Sequence, residues 1–493
     1  AMSAYVMPKI REYLTALASE LESGGLGLPP LIMQINGGCA RVPQILAAPV
    51  NILASGPAAA PAAALHFAGA IGADLISVDM GGTSLDVCLI EGGRAAMSRE
   101  IQVEGQPIGV PAVDVHSIGA GGGSIAWIDA GEALRVGPRS AGARPGPACY
   151  DFGGTEPTVT DANVVLGYLN PEAFLGGRRT LRDDLSRQAV DEFVGGPLGL
   201  STVAAAAGIV RVVNANMVGA IRSVSVDRGV DPRGFTLVCG GGAGGLHATE
   251  LARELGMERV FVPLEAGVFC SFGMTVTDVR HDHVTALHAV SDRFDLAALN
   301  AAIAELEDAA RTELLEEGFE PGEIELERSV DARYPGQVHE ITVPVPSGTE
   351  LGAAEIETLI AAFHEQHKAQ FAYNRDSMPI ECLHWRVAAI GRSGAGAEPA
   401  PAAPSEGEVE PIRTAQAYSS ASGELVATPI YDVADLGLGA TVSGPAIVAA
   451  PTTTIVLHEG DLLSRRVAEG FLIDVAPARG AGAAAAEAAP APA

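Results

Sequence analysis

Asp74-Leu-Ile-Ser-Val-Asp79-Met-Gly-Gly-Thr-Ser-Leu-Asp86-Val-Cys-Leu-Ile90 sets two apolar runs on either side of a polar, glycine-rich crown. The pattern predicts a β-hairpin that turns over Met80–Ser84. Gly81 and Gly82 at its tip let backbone N–H groups approach phosphate oxygens, because no Cβ stands in the way. Thr83 and Ser84 add hydroxyl donors, and Asp79 and Asp86 flank the tip, where they can hold Mg²⁺ through water. An ordinary Gly-Gly turn with solvated aspartates would be spelled the same way. An aspartate ending an apolar strand beside the turn favours function.

A second glycine run, Gly240-Gly-Gly-Ala-Gly-Gly245, lies between an expected strand at 235–239 and a helix ending near 256. Three readings of Gly240, Gly241, Gly242, Gly244 and Gly245 are open. Taken literally the run satisfies G-x-G-x-x-G, with Glu265 twenty residues beyond Gly245, as in an NAD-binding oxidoreductase. It also suits an adenosine loop of the phosphotransferase superfamily that holds actin, sugar kinases and heat-shock ATPases. Tight strand-to-helix packing is the third. A dinucleotide fold leaves the Asp79 hairpin without a role, whereas a two-lobed ATPase uses both elements.

Other constellations are weaker. Asp114-Val-His116 precedes the glycine loop Gly119–Ser124, so His116 can be a general base or a structural histidine. Arg144-Pro-Gly-Pro147 offers a guanidinium to an anion or is a rigid surface loop. His281-Asp282-His283 lacks a third ligand at a supporting spacing. His364 and His367 stand three apart, not four, and read as a solvated helix face. Arg333-Tyr-Pro-Gly-Gln337, followed by His339-Glu340, puts an unusual turn within a β-like segment. Cys270 lacks the His/Asn set of a nucleophile.

Composition narrows the classes. Of 31 basic residues in the 493 only Lys9 and Lys368 are lysines, and neither is placed for a Walker A loop or a PLP Schiff base. A formal charge of −29 speaks against nucleic acid and anionic membranes as partners. Six scattered cysteines without a C-x-x-C pair, and no apolar run of membrane-spanning length, make a reduced, cytoplasmic protein the expectation. Residues 201–224 read as a long, central Ala/Val helix. Leu296, Leu299, Ile303, Leu306, Ala310 and Leu314 form the stripe of an amphipathic helix, whose acid-rich continuation to Arg328 reads as a solvated face.

In order along the chain, Asp79-Met-Gly-Gly-Thr-Ser84, Asp114–Ser124, Arg144–Tyr150, Thr158-Val-Thr-Asp-Ala-Asn163, Gly241–His247, Gly267-Val-Phe269 and Arg333–Gln337 resemble the hydantoinase A/5-oxoprolinase family. That resemblance implies an α/β fold with actin-like (ribonuclease-H-like) ATPase lobes over residues 1–284. An additional α+β segment at 285–393, a linker at 394–411, a small β-rich C-terminal module at 412–478 and a disordered tail at 479–493 would follow. It also implies ATP and Mg²⁺ as cofactors, with Asp79–Asp86 as a phosphate hairpin and Gly240–Gly245 as the adenosine loop, against NAD. The implied function is the ATP-binding subunit of a cyclic-amide hydrolase (hydantoinase, oxoprolinase or lactamase type) or a ketone carboxylase. A hydantoinase B-type partner would process the small-molecule substrate. Asp79, Asp86 and His116 are the candidate catalytic residues, the two aspartates also the metal ligands. Two departures stand out. The first phosphate hairpin D-x-G-G-T-x-T-D, normal for an N-terminal lobe, is missing, so a separate chain or processing is expected to account for it. Gly245 stands where the adenosine loop usually has proline. The rival from another class is a non-catalytic nucleotide-binding or assembly subunit that docks through the acidic 305–328 run.

Overall fold

A computed structural model describes residues 2–27, 29–103, 105–392 and 409–477. The tail expected at 479–493, and the linker expected at 394–411 except its last three positions, lie outside the described residues. Two compact units, both mixed α/β, alternate along the chain. Ala1–Ala58, Met97–Val113 and Met274–Ala397 build the first; Ala59–Ala96, Asp114–Gly273 and Glu398–Ala493 build the second.

In the second unit Leu75–Met80 (β1), Leu85–Glu91 (β2), His116–Ile118 (β3), Thr236–Gly240 (β4), Arg259–Pro263 (β5) and Gly470–Asp474 (β6) lie in the order β3-β2-β1-β4-β5-β6, continued by Leu462–Val467 and Thr441–Ser443. β1, β4 and β5 are parallel, while β2, β3 and β6 pair antiparallel to their neighbours. β1 and β4 are buried along nearly their whole length, because apolar layers cover both faces of the sheet. Alternation along each strand decides which side chain meets which layer. Ile76, Val78, Leu85 and Val87 share a cluster with Val159 and Val165 of helix Val159–Val165 (α1) and Ile209, Val213 and Met217 of helix Thr202–Val224 (α2). Leu75, Ile90 and Val238 share the opposite cluster with Phe67 and with Phe269 of helix Phe269–Val276 (α3).

Helix α2 corrects one expectation. With its extension to Arg228 it is long and apolar enough, by length and composition, to cross a membrane. Its buried residues, including Ile209, Val213, Met217 and Ile221, belong to the core just described. The strands of 412–477, expected as one small module, are divided. Arg413–Ser419, Glu424–Asp432, Ala446–Ala449 and Thr454–Leu457 form a four-stranded sheet, and the rest extend the long sheet where β6 pairs with β5. Apolar alternation marks a strand but not its partner.

The first unit is a six-stranded sheet in the order Leu31–Met33, Cys39–Arg41, Val279–Val290, Glu381–Gly391, Ile324–Arg333, Ile341–Val345. Helices Leu296–Glu316 (α4) and Ala353–Phe371 (α5) contribute to its apolar layers. From the expected stripe, Leu299, Ile303, Ala310 and Leu314 are buried. Asp295 caps α4 by accepting the Ala298 N–H at 3.1 Å. The acidic run is less solvated than expected. Glu307 meets Arg328 at 2.6 Å, Glu313 meets His283 at 3.1 Å, and Glu317 meets His281 at 3.0 Å.

Candidate functional site

β1 and β2 pair so that Asp79 lies opposite Asp86 and Met80 opposite Leu85, leaving Gly81–Ser84 as the tip. Inside the turn the Gly81 N–H donates to the Ser84 carbonyl at 3.1 Å. The loop Gly119–Ser124 backs this tip. Gly122 and Gly123 donate their N–H groups to the carbonyls of Gly81 and Gly82 at 3.0 and 2.7 Å. Thr160 of α1 in turn holds the Gly122 carbonyl with its N–H at 2.7 Å and its hydroxyl at 2.8 Å. A Cβ on Gly121 would fall 2.5 Å from the Thr83 nitrogen, so the approach is possible only for glycine. The tip carbonyls are therefore engaged from behind. The N–H groups of Gly82, Thr83 and Ser84 have no acceptor among the described residues. A Cβ at Gly81 or Gly82 would meet nothing within 4 Å, so that side is open to an anion.

Asp79 and Asp86 share the sheet face that carries Leu75 and Ile90. Burial pushes both carboxyls up from the ordinary aspartate range. For Asp79 the Cys270 thiol, 2.9 Å from Oδ2, opposes that rise and the charge of Asp86 adds to it. For Asp86 the Ser117 hydroxyl, which donates to Oδ1, opposes it. Among the described residues neither aspartate has a lysine, arginine or histidine within ion-pair distance. Two half-buried carboxyls with only neutral donors are not neutralised by a basic side chain; a hard divalent cation would offset the upward push of burial, and their oxygen donors suit Mg²⁺.

In the parallel pair of β1 and β4, Gly240 stands beside Asp79. Both glycine turns thus leave the sheet at the carboxyl edge of neighbouring parallel strands, where open α/β sheets bind ligands. The second turn is largely filled by protein. Gly241, at φ +85°, donates to the Ala266 carbonyl at 2.7 Å, and a Cβ on it would lie 2.1 Å from the Met80 oxygen. Gly240 is packed by the Phe269 ring, and Gly242 and Gly245 face the carbonyls of Thr452 and Thr454. Protein atoms thus crowd this turn, as tight strand-to-helix packing requires, and β2 and β6 make the sheet mixed where a dinucleotide fold is mostly parallel.

The Hydantoinase/oxoprolinase profile matches residues 1–283, and the Hydantoinase/oxoprolinase C-terminal domain profile matches residues 291–464. The chain belongs to the hydantoinase/oxoprolinase family. The caprolactamase subunit alpha of Pseudomonas jessenii is 39% identical over 464 residues, covering 93% of this chain and 66% of that subunit. The crystal structure of the ATP-dependent caprolactamase from Pseudomonas jessenii matches with a TM-score of 0.85 at 37% identity, over 95% of this chain and 68% of that one. A nucleotide-free structure of acetone carboxylase, which carries out ATP-dependent acetone carboxylation, matches with a TM-score of 0.74 at 27% identity, over 94% of this chain and 67% of that one. The chain spans about two thirds of the length of these relatives.

The remaining motifs of this hydantoinase/oxoprolinase chain go to different places. His116 lies opposite Val87 in β3, one residue from Ser117, so it faces the α2 side of the sheet, away from Asp86. It does not join the aspartates. Arg144 stacks over Phe152 with 4.9 Å to the ring centroid. In the Thr158–Asn163 phrase the fully buried Asp161 accepts the N–H groups of Ala148 at 3.1 Å, Cys149 at 2.8 Å and Thr158 at 3.0 Å, and the hydroxyls of Thr158 and Ser186 at 2.7 Å each. It thereby ties the Arg144–Tyr150 loop to α1.

His364 and His367 are buried, not solvated. The hydroxyl of Tyr334 meets His364 Nδ1 at 2.7 Å, and Gln337 meets His367 Nε2 at 3.1 Å, so the Arg333–Gln337 turn and this helix lock each other. His281 and His283 each take a glutamate from the α4 region as described above. Asp331, Glu340 and His384 approach ligand spacing. Arg386 at 2.7 Å and Arg99 at 3.6 Å already neutralise Asp331, and Arg99 also meets Glu340 at 3.0 Å. That contrast singles out the Asp79–Asp86 pair. Ser117 and Thr160 stood unremarked within family phrases and Cys270 was weighed only as a nucleophile, because strand register and packing, which the sequence does not spell, bring all three to the hairpin.

Proposed function

We propose that this chain is the ATP-binding subunit of an ATP-dependent cyclic-amide hydrolase of hydantoinase, oxoprolinase or lactamase type, or of a ketone carboxylase. The observation that carries the reading is the uncompensated Asp79–Asp86 pair beneath a tip on which the N–H groups of Gly82, Thr83 and Ser84 have no acceptor among the described residues. Two glycine turns at one carboxyl sheet edge also support an actin-like, ribonuclease-H-like lobe. When bound, ATP–Mg²⁺ would supply a γ-phosphoryl group to an amide or enol oxygen of the substrate, giving an activated phosphate ester. The chain's own residues position and match charge. The N–H groups of Gly82, Thr83 and Ser84 and the hydroxyls of Thr83 and Ser84 donate to phosphate oxygens, while Asp79 and Asp86 hold the cation. Gly240–Gly245 shapes the neighbouring wall by tight packing, and His116 takes no part. No basic side chain lies within ion-pair distance of the two aspartates among the described residues, so a cation would offset the polyanion here. A hydantoinase B-type subunit completes hydrolysis or carboxylation.

The test is ATP consumption by the complex reconstituted with that partner, screened against cyclic amides and against ketones with bicarbonate. One class should stimulate consumption. Asp79→Asn should lower kcat by roughly 100-fold or more, as loss of a charge-stabilising group does, with the melting temperature unchanged. Undiminished turnover in Asp79→Asn ends the catalytic assignment.

A further inference from the structure

We propose that Cys270 is a positioning residue for Asp79, orienting that carboxylate beside the hairpin tip while leaving the charge of the Asp79–Asp86 pair intact. The inference rests on the nucleotide reading above, and its test separates the two. Each aspartate receives one neutral donor from a neighbouring element. The Ser117 hydroxyl of β3 donates to Asp86, and the Cys270 thiol at the start of α3 donates to Asp79 Oδ2 at 2.9 Å. An arginine or lysine in either place would neutralise the pair, as Arg386 and Arg99 do at Asp331. A thiol or hydroxyl fixes the rotamer and leaves the charge available to a cation.

The thiol is delivered by the packing that shapes the second glycine turn. The Phe269 ring occupies the space beside Gly240, where a Cβ would come within 2.2 Å of it. The Gly241 N–H is held by the Ala266 carbonyl at 2.7 Å, and Gly273 sits against the Ala59 carbonyl so closely that only glycine fits. The start of α3 therefore cannot shift without disturbing the turn beside β1. Burial and the neighbouring Asp79 push the Cys270 thiol up, which keeps it in the protonated form that donates.

Calorimetric titration of the full chain with ATP at several Mg²⁺ concentrations tests this in the parent, Cys270→Ala, Cys270→Ser and Asp79→Asn, with melting temperatures taken without nucleotide. Cys270→Ala should weaken Mg²⁺-dependent binding by about 3- to 10-fold, the effect of losing one weak donor to a charged acceptor. Cys270→Ser should restore it to within about 2-fold by supplying a hydroxyl, and the melting temperatures should agree. Parental affinity in Cys270→Ala overturns the proposal, as does Cys270→Ser binding as weakly as Cys270→Ala, since volume and not the donor would then matter. Parental affinity in Asp79→Asn, or no binding by any form, removes the nucleotide reading itself.

Discussion

Asp161 and His247 show how individual buried polar groups support the candidate site without touching it. Five donors converge on the Asp161 carboxylate, and replacing it leaves them without an acceptor. Asp161→Ala should therefore cost roughly 3–5 kcal/mol in urea unfolding, and Asp161→Asn less. His247 follows the second glycine turn, fully buried, with Nδ1 2.7 Å from the side-chain Oδ1 of Asn214. Burial pushes its imidazole down to about 4. Its pKa in the folded chain thus lies below the unfolded value of about 6.5. As the pH falls between those values the unfolded chain takes up a proton that the folded chain refuses. Stability is lost over that window, by up to about 3 kcal/mol. His458, also depressed by burial, acts in the same direction. Urea midpoints at about pH 7 and about pH 5 should therefore differ less in His247→Gln than in the parent. Neither role was legible in the sequence. Asp161 stood in a family phrase, but its partners at Ala148, Cys149 and Ser186 are set by packing.

At the level of elements, the hairpin was the most legible part of the chain. Two apolar runs and a Gly-Gly crown locate β1 and β2 within a residue or so of their observed bounds. The parallel neighbour β4 was not legible as a neighbour, because pairing between distant segments leaves no local mark. The two glycine groups also do different work, which spelling alone conceals. Gly82 borders open space, whereas Gly121 is pressed against Thr83. Gly82→Ala should fold with a melting temperature close to the parent and bind Mg²⁺–ATP at least about 10-fold more weakly, since the new methyl stands where phosphate would approach. Gly121→Ala should lose both binding and stability, the latter by about 1–3 kcal/mol from overpacking. Calorimetry and thermal melts distinguish them, and equal behaviour of the two variants would contradict an open tip backed by a tight loop.

For the whole molecule, family membership follows from two profiles that together span most of the chain. The chain spans about two thirds of its relatives' length, so the activity of the complete assembly is a matter for reconstitution. The interleaving of the two units was invisible to a linear reading, because a unit assembled from three separated stretches has no boundary in composition. What remains local is the proposed phosphate site, in a chain of −29 formal charge with two lysines. On that proposal, backbone N–H groups and a divalent cation take the part that lysines play in other nucleotide sites. Hydrogen–deuterium exchange across residues 79–86, measured with ATP in the presence and absence of Mg²⁺, reads those N–H groups directly. Slower exchange at Gly82, Thr83 and Ser84 that requires both ATP and Mg²⁺ is the predicted result. Unchanged exchange at the tip while nucleotide is bound would contradict it.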